Sequence, residues 1–210
     1  MRIAIIGSGE VGVALARRWV SAGHTVSFAV RNPQSPKARA AADATGGGVP
    51  LRAVREAVAA AEAVVLATQF RDAESALAGA GPLAGKLLID ATNPLAPDLT
   101  GLVVAGGDSG AEQIARWAGG ARVVKAFNTT GCNVMENPRF PAGSAAMLVC
   151  GDDAAAREVV LGLARDIGFD SVDAGPLSQA RLLEPLAMLW IRLAYVQGLG
   201  REFAFGLLRR

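Results

Sequence analysis

The chain has 210 residues, 51% of them hydrophobic but only 5% aromatic, with a formal net charge of +2. That length suits one α/β domain plus a modest addition, with a core built from Ala, Val, Leu and Ile. The small charge argues against a nucleic-acid partner, no apolar run reaches membrane-span length, and Cys132 and Cys150 have no paired metal-ligand spacing, so neither a membrane segment nor a metal site is expected.

In chain order, an apolar run from Arg2 to Ile6 leads straight into Gly7-Ser8-Gly9-Glu10-Val11-Gly12, and helical spacing continues to about Val20. Strand, glycine turn and helix together form the context that marks a dinucleotide-binding loop. Gly7 permits the turn, Gly9 leaves room for a pyrophosphate, and Gly12 lets the helix pack close to the strand. The free N–H groups at the helix start face the phosphates. Gly7 also breaks the apolar run after Arg2, so no signal peptide is read there, and a cytoplasmic protein with free thiols is expected.

The second strand, His24 to Val30, ends without the acid that would hold a ribose 2′-OH. No Asp or Glu occurs from Val11 through Ala42, and the strand runs instead into Arg31 and Asn32, with Ser35, Lys37 and Arg39 following. A carboxylate would repel a 2′-phosphate, whereas a guanidinium binds one with paired, charge-assisted bonds. The pattern points to NADP(H), the alternative being that Arg31 is an ordinary solvated charge.

Strand and helix signals then alternate. A helix is expected over Pro36–Ala44, a short strand at Val49–Leu51, a helix over Arg52–Ala60 and a buried strand at Ala63–Ala67. A helix over Phe70–Ala78, a strand at Lys86–Asp90, a helix over Ser109–Ala118 with a serine cap and a strand at Arg122–Phe127 follow. Further strands are read at Ala145–Cys150 and Asp170–Ala174, with a helix capped by Asp152 or Asp153 between them. A long helical stretch from Ser178 toward Leu208 comes last, interrupted near Gly198. The alternation predicts an α/β Rossmann fold with a doubly wound, mostly parallel sheet. Residues 1–140 read as the NADP-binding domain, and 141–210 as a C-terminal strand and helix extension closing the cofactor cleft.

Ligands of such sheets bind beyond the carboxyl ends of the strands. Those ends supply Thr68, Gln69 and Phe70, then Thr92, Asn93, Pro94 and Leu95, then Asn128 to Gly131. Amides and hydroxyls there can bond a carboxamide or ribose, and Phe70 or Leu95 can pack on a ring. The alternative is plain turn chemistry. Acid–base groups are scarce. His24 lies at the wrong end of its strand, Tyr195 reads as packing, Lys125 is as well explained by an internal partner, and Cys132 has no sign of a thiolate nucleophile. No catalytic residue is assigned.

Gly7–Gly12, Arg31, Cys150-Gly-Asp-Asp153 and above all Asp173-Ala-Gly-Pro-Leu-Ser-Gln-Ala-Arg-Leu-Leu-Glu184 resemble the NADPH-dependent oxidoreductases of the coenzyme F-420 (deazaflavin) reductase family. The cytosolic NADPH domains of membrane ferric reductases are similar too. The resemblance implies a homodimeric Rossmann protein with NADPH on the glycine loop and its 2′-phosphate at Arg31. A deazaflavin or flavin would stack on the nicotinamide, near Thr68, Phe70, Asn93, Pro94, Leu95 and Asn128, and accept hydride directly. Two departures stand out: Thr68-Gln69-Phe70 replaces an Ile-Pro-Trp pattern, and Asn128 replaces a histidine. Two other readings remain beside it. One is an NADP-dependent dehydrogenase or imine reductase of a small substrate, which needs Lys125 or Tyr195 as acid. The other is a non-catalytic NADPH-sensing module.

Overall fold

Ile3 to Ile6 are buried on both faces of the sheet, the setting that an isoleucine-rich central parallel strand requires. The structure is a computed structural model and describes Met1–Arg210. Strand β1 (Arg2–Ile6) is followed by α1 (Glu10–Ser21), β2 (Thr25–Val30), α2 (Pro36–Ala44), β3 (Leu51–Ala53) and α3 (Val54–Ala60). Then come β4 (Ala63–Leu66), a 3-10 turn at Phe70–Asp72, α4 (Ala73–Gly79), β5 (Leu87–Asp90), α5 (Gly110–Trp117) and β6 (Arg122–Lys125). The last third holds α6 (Cys132–Glu136), the hairpin β7 (Arg139–Phe140) and β8 (Gly143–Ser144), β9 (Ala146–Gly151), α7 (Ala154–Asp166), β10 (Asp170–Gly175) and α8 (Ala180–Ile191).

Eight strands form one sheet in the order β10-β9-β6-β5-β4-β1-β2-β3. Neighbours are parallel except β6 and β9, which run antiparallel through Val124–Gly151 and Lys125–Cys150. Gly151 makes that approach possible, since a Cβ there would sit 2.7 Å from the Val123 carbonyl oxygen. Helices α1, α2, α6 and α7 cover one face around Trp19, Phe28 and Phe127. Helices α3, α4 and α5, with the start of α8, cover the other. The fold is the expected Rossmann α/β architecture. Its last two strands extend the same sheet, and the Trp19 core takes side chains from both sides of position 140.

Three details differ from the expectation. The region from Phe70 opens with a 3-10 turn before α4 begins at Ala73. The antiparallel turn of β9 follows from the β7–β8 hairpin, which reverses the chain after β6. The last helix does not run to Leu208. It ends in a π-turn at Arg192–Val196, and the tail folds back, with Phe203 stacked on Trp190 at 5.3 Å and Phe205 accepting a bond from Ala146 N.

Candidate functional site

A cleft of about 1010 Å³ opens beyond the carboxyl ends of β4, β1, β2 and β3. Its floor is the glycine turn, and the three glycines have separate physical causes. Gly7 has φ +120°, and a Cβ there would lie 2.4 Å from the Ala67 carbonyl oxygen. A Cβ on Gly12 would lie 2.4 Å from the Gly7 carbonyl oxygen, so α1 can sit this close to β1 only without it. Gly9 is different. Its φ is −86°, open to any residue, and no protein atom lies within 4 Å of a Cβ built there. Neither strain nor packing within the chain requires glycine at this position. The bare backbone faces the cleft, next to the start of α1, where unpaired N–H groups favour an anion.

Of the residues read from sequence, the cleft gathers Gly7, Ser8, Gly9, Arg31, Asn32, Lys37, Thr68 and Gln69. It also gathers Ser35, noted above among the residues after β2, and residues that the sequence reading passed over: Arg55, Arg71, Asp72 and Ser75. Arg55 and Arg71 follow β3 and β4 within a few residues, and basic residues at strand ends were the signal available. Ser35 caps α2 by accepting from Ala38 N. Arg39 turns away and bonds Gln34.

Glu10, Val11 and Gly12 lie outside the cleft lining. Val11 packs on the core. Glu10 accepts a bond from the Cys132 thiol at 3.2 Å, and Arg201 reaches both groups, at 2.8 Å from the sulfur and 3.6 Å from the carboxylate. Burial first, and then the Glu10 contact, push the Cys132 thiol above its ordinary pKa, so it is not a poised thiolate. Phe70 also lies outside. Its ring packs 5.6 Å from that of Trp117 and against Gly110 on the α5 side of the sheet.

Asn93, Pro94, Leu95 and Asn128 stand farther along the same edge, at the ends of β5 and β6. The two asparagines pair: Asn93 Nδ2 donates to Asn128 O at 2.9 Å, and Asn128 Nδ2 donates to Asn93 Oδ1 at 3.0 Å and to Leu183 O at 3.3 Å. This pattern fixes the amide orientation and leaves Asn128 Oδ1 as a buried acceptor without a donor. The Thr68, Thr92 and Thr130 hydroxyls are likewise buried and unpartnered. Four orphaned polar atoms therefore follow β4, β5 and β6. Phe127, just before Asn128, holds φ 60°, a strained value for an aromatic residue. Its ring is locked edge-on against Trp19 and Phe169, which sets the direction in which Asn128 leaves the strand.

Beneath these loops lies a buried charge triad. Lys125 Nζ donates to Asp90 Oδ2 at 2.8 Å and to Thr92 O at 2.6 Å, and sits 2.9 Å from Glu184 Oε1. An ammonium has three N–H donors, and each has an acceptor here. Burial alone would lower the Lys125 pKa, but Asp90 and then Glu184 outweigh it and raise it. Glu184 also accepts from Gly110 N and Ala111 N at the head of α5. His24 pairs with Asp166 at 3.0 Å, at the far end of its strand. Tyr195 is 57% exposed and edge-on to Trp190. No group of His, Cys, Asp and Glu in the chain is arranged to hold a metal, and no helix is long and apolar enough to cross a membrane.

The arrangement fits a dinucleotide. Its glycine turn leaves bare backbone where a pyrophosphate would lie, basic side chains line the β2 end, and neutral acceptors and hydroxyls remain uncommitted at the β4–β6 ends. Comparison with known proteins agrees. Residues 2–94 match the family model described as NADP oxidoreductase, coenzyme F420-dependent. The chain is 34% identical over 196 residues to Metalloreductase STEAP3 of Rattus norvegicus, covering 90% of this chain but 37% of that protein. It is 33% identical over 116 residues to the F420-dependent NADP reductase of Methanocaldococcus jannaschii, covering 53% of this chain and 52% of that one. The chain thus spans little more than a third of the metalloreductase and about half of the archaeal enzyme. A crystal structure of a putative F420-dependent NADP reductase from Arthrobacter sp. FB24 superposes with TM-score 0.89 at 35% identity, covering all of both chains. The glycine turn, the basic end of β2 and the whole-chain likeness lead to one conclusion: this chain belongs to the coenzyme F420-dependent NADP oxidoreductase family.

Proposed function

We propose that the chain binds NADP(H) across the cleft and passes hydride between it and a deazaflavin or flavin ring. The observation that carries this reading is the division of labour at the β4–β6 ends. Lys125, the cation that the sequence offered as an acid, has all three donors committed inside the protein. The buried polar atoms that remain uncommitted there are neutral: Asn128 Oδ1 and the hydroxyls of Thr68, Thr92 and Thr130. Such a site can hold and orient rings. A ring acceptor needs little else from the protein, because the two cofactors carry the chemistry. Reduction of a ketone to an alcohol would call for a positioned proton donor.

In this reading the bare Gly9 backbone and the head of α1 hold the pyrophosphate, and Arg31, Asn32 and Lys37 hold the 2′-phosphate. Asn128 Oδ1, an acceptor with no donor of its own, takes an N–H from the nicotinamide carboxamide and fixes the ring's rotation. NADPH held by these residues would supply the hydride, and solvent would supply the proton that completes reduction of the acceptor. The same reading carries a cytoplasmic homodimer. Leu182 and Leu189, seven residues apart on one face of α8, are exposed and offer an apolar surface to a second copy.

NADPH oxidation followed by absorbance, with coenzyme F-420, FMN, FAD and ferric chelates offered in turn and NADH as control donor, tests the reading. Turnover with a ring acceptor and NADPH is expected. NADPH binding without turnover on any of them would overturn the hydride-transfer step and leave a small carbonyl or imine substrate, or a sensor role.

A further inference from the structure

We propose that Arg55 and Arg71 grip the adenine ring of the bound dinucleotide from either side, over a floor of small residues on α4. The proposal rests on the reading of the cleft as a dinucleotide site. The strand order β4-β1-β2-β3 sets four carboxyl ends in a row, spaced about 4.8 Å apart. Arg71 stands beyond β4, Gly9 beyond β1, Arg31 beyond β2 and Arg55 beyond β3. A phosphate monoester carries about −1.5 to −2 charges at neutral pH, which Arg31 and Lys37 already match. Lys37 belongs to α2, on one face of the sheet. Arg55 and Arg71 belong to α3 and to the turn before α4, on the opposite face. They are surplus to the 2′-phosphate in number and stand on the other side of the sheet from Lys37.

Their surroundings suit a flat ring. Helix α4 and the residue before it turn Asp72, Ser75, Ala76 and Gly79 to the cleft, the i, i+3, i+4, i+7 spacing of one helical face. Ala76 and Gly79 leave that face shallow. The stem of Arg55 leans toward the end of α4, since a Cβ built on Gly81 would lie 3.7 Å from Arg55 Cγ. Arg55 itself lines the cleft together with that helical face. Neither Arg55 nor Arg71 has a carboxylate or carbonyl partner. On the neighbouring helices α5 and α8 the arginines do find one: Arg116 in Asp108 and Arg181 in Glu112. A guanidinium is planar and cationic, and stacks on an aromatic face in a way an ammonium does not. The contact is the same for NADPH and NADH.

Titration of wild type, Arg55→Ala, Arg71→Ala and the double variant with NADPH and with NADH, followed by nicotinamide fluorescence, tests the grip. Arg31→Ala serves as the variant that separates the two nucleotides. Each single change is expected to weaken both nucleotides alike, by about fivefold on the scale of a cation–π contact, with an unchanged melting temperature. Arg55→Lys and Arg71→Lys, which keep the charge and lose the plane, are expected to lose most of the same factor. A loss confined to NADPH would make the two arginines phosphate ligands and overturn the proposal, as would full affinity in the lysine variants. Wild type binding neither nucleotide would instead overturn the dinucleotide reading itself.

Discussion

The two ends of one sheet edge are built on opposite plans. Beyond β4, β1, β2 and β3, the cations Arg31, Lys37, Arg55 and Arg71 stand without internal partners around an open cleft, and Gly9 is required by no packing or backbone strain in the chain. Beyond β5 and β6, Lys125, Asp90 and Glu184 are fully buried and satisfy one another, and Asn93 and Asn128 bond reciprocally. The first end leaves its cations and bare backbone open to a ligand. The second is complete in itself and presents a few neutral atoms on a rigid base. Along this edge the unpaired cations face the open cleft, whereas the paired Lys125 lies inside the scaffold. A buried lysine near a catalytic edge is easily mistaken for an acid unless its three donors are followed to their acceptors.

The largest effect that would sharpen this contrast comes from Lys125→Met. It strands Asp90 and Glu184 without their counter-charge, and breaking a buried pair in this way costs about 3–5 kcal/mol. Denaturant unfolding measures it. A loss below about 1 kcal/mol, the range of surface pairs, would show that the triad is not the base described here.

A smaller effect divides the glycines. Gly12→Ala drives a Cβ into the Gly7 carbonyl and is expected to cost about 1–3 kcal/mol, as overpacking does. Gly9→Ala meets no protein atom, so its stability should stay within about 0.5 kcal/mol of wild type while NADPH affinity falls. Equal losses of stability in the two variants, or full NADPH affinity in Gly9→Ala, would break the assignment of Gly9 to the ligand.

The last effect is confined to alkaline pH and is read as a slope. Burial pushes the Cys150 thiol up to about 12 from an ordinary value of 9.0. Between those values the unfolded chain releases a proton that the folded chain keeps. Stability is therefore full below about pH 9 and falls as pH rises toward 12, by at most about 1.4 kcal/mol per unit. Melting curves across that window should be less steep for Cys150→Ala. An identical slope would place the alkaline sensitivity elsewhere.

Much of the first end was legible in the sequence, because its signals are local. The isoleucine run, the glycine spacing and the missing acid after β2 sit within a few residues of one another. Helix α2 begins at Pro36 and ends at Ala44 as its proline and glycine flanks predict, and Ser109 and Asp153 cap their helices. The second end was not legible, because its partners are remote. Nothing in the spacing of Asp90, Lys125 and Glu184 announces that they meet. The antiparallel β9 depends on a hairpin with two residues per strand, too short for any periodic signal. The tail turns back at the π-turn because Phe203 stacks on Trp190, a tertiary contact that helical periodicity cannot foresee. The packing of Phe70 on Trp117 was hidden for the same reason: its neighbour lies on another helix.

Glu184 has a consequence for the order in which the molecule comes together. Its carboxylate serves the first amides of α5 from 74 and 73 positions downstream, and the carbonyl of the residue before it holds Asn128. A chain emerging from the ribosome lays down β1 through β6 well before that carboxylate exists. Until α8 docks, Lys125 lacks one of its two counter-ions and the head of α5 lacks its acceptor. The half of the fold nearest the glycine turn can settle as it is made, while the half that would seat the nicotinamide waits for nearly the last helix of the chain.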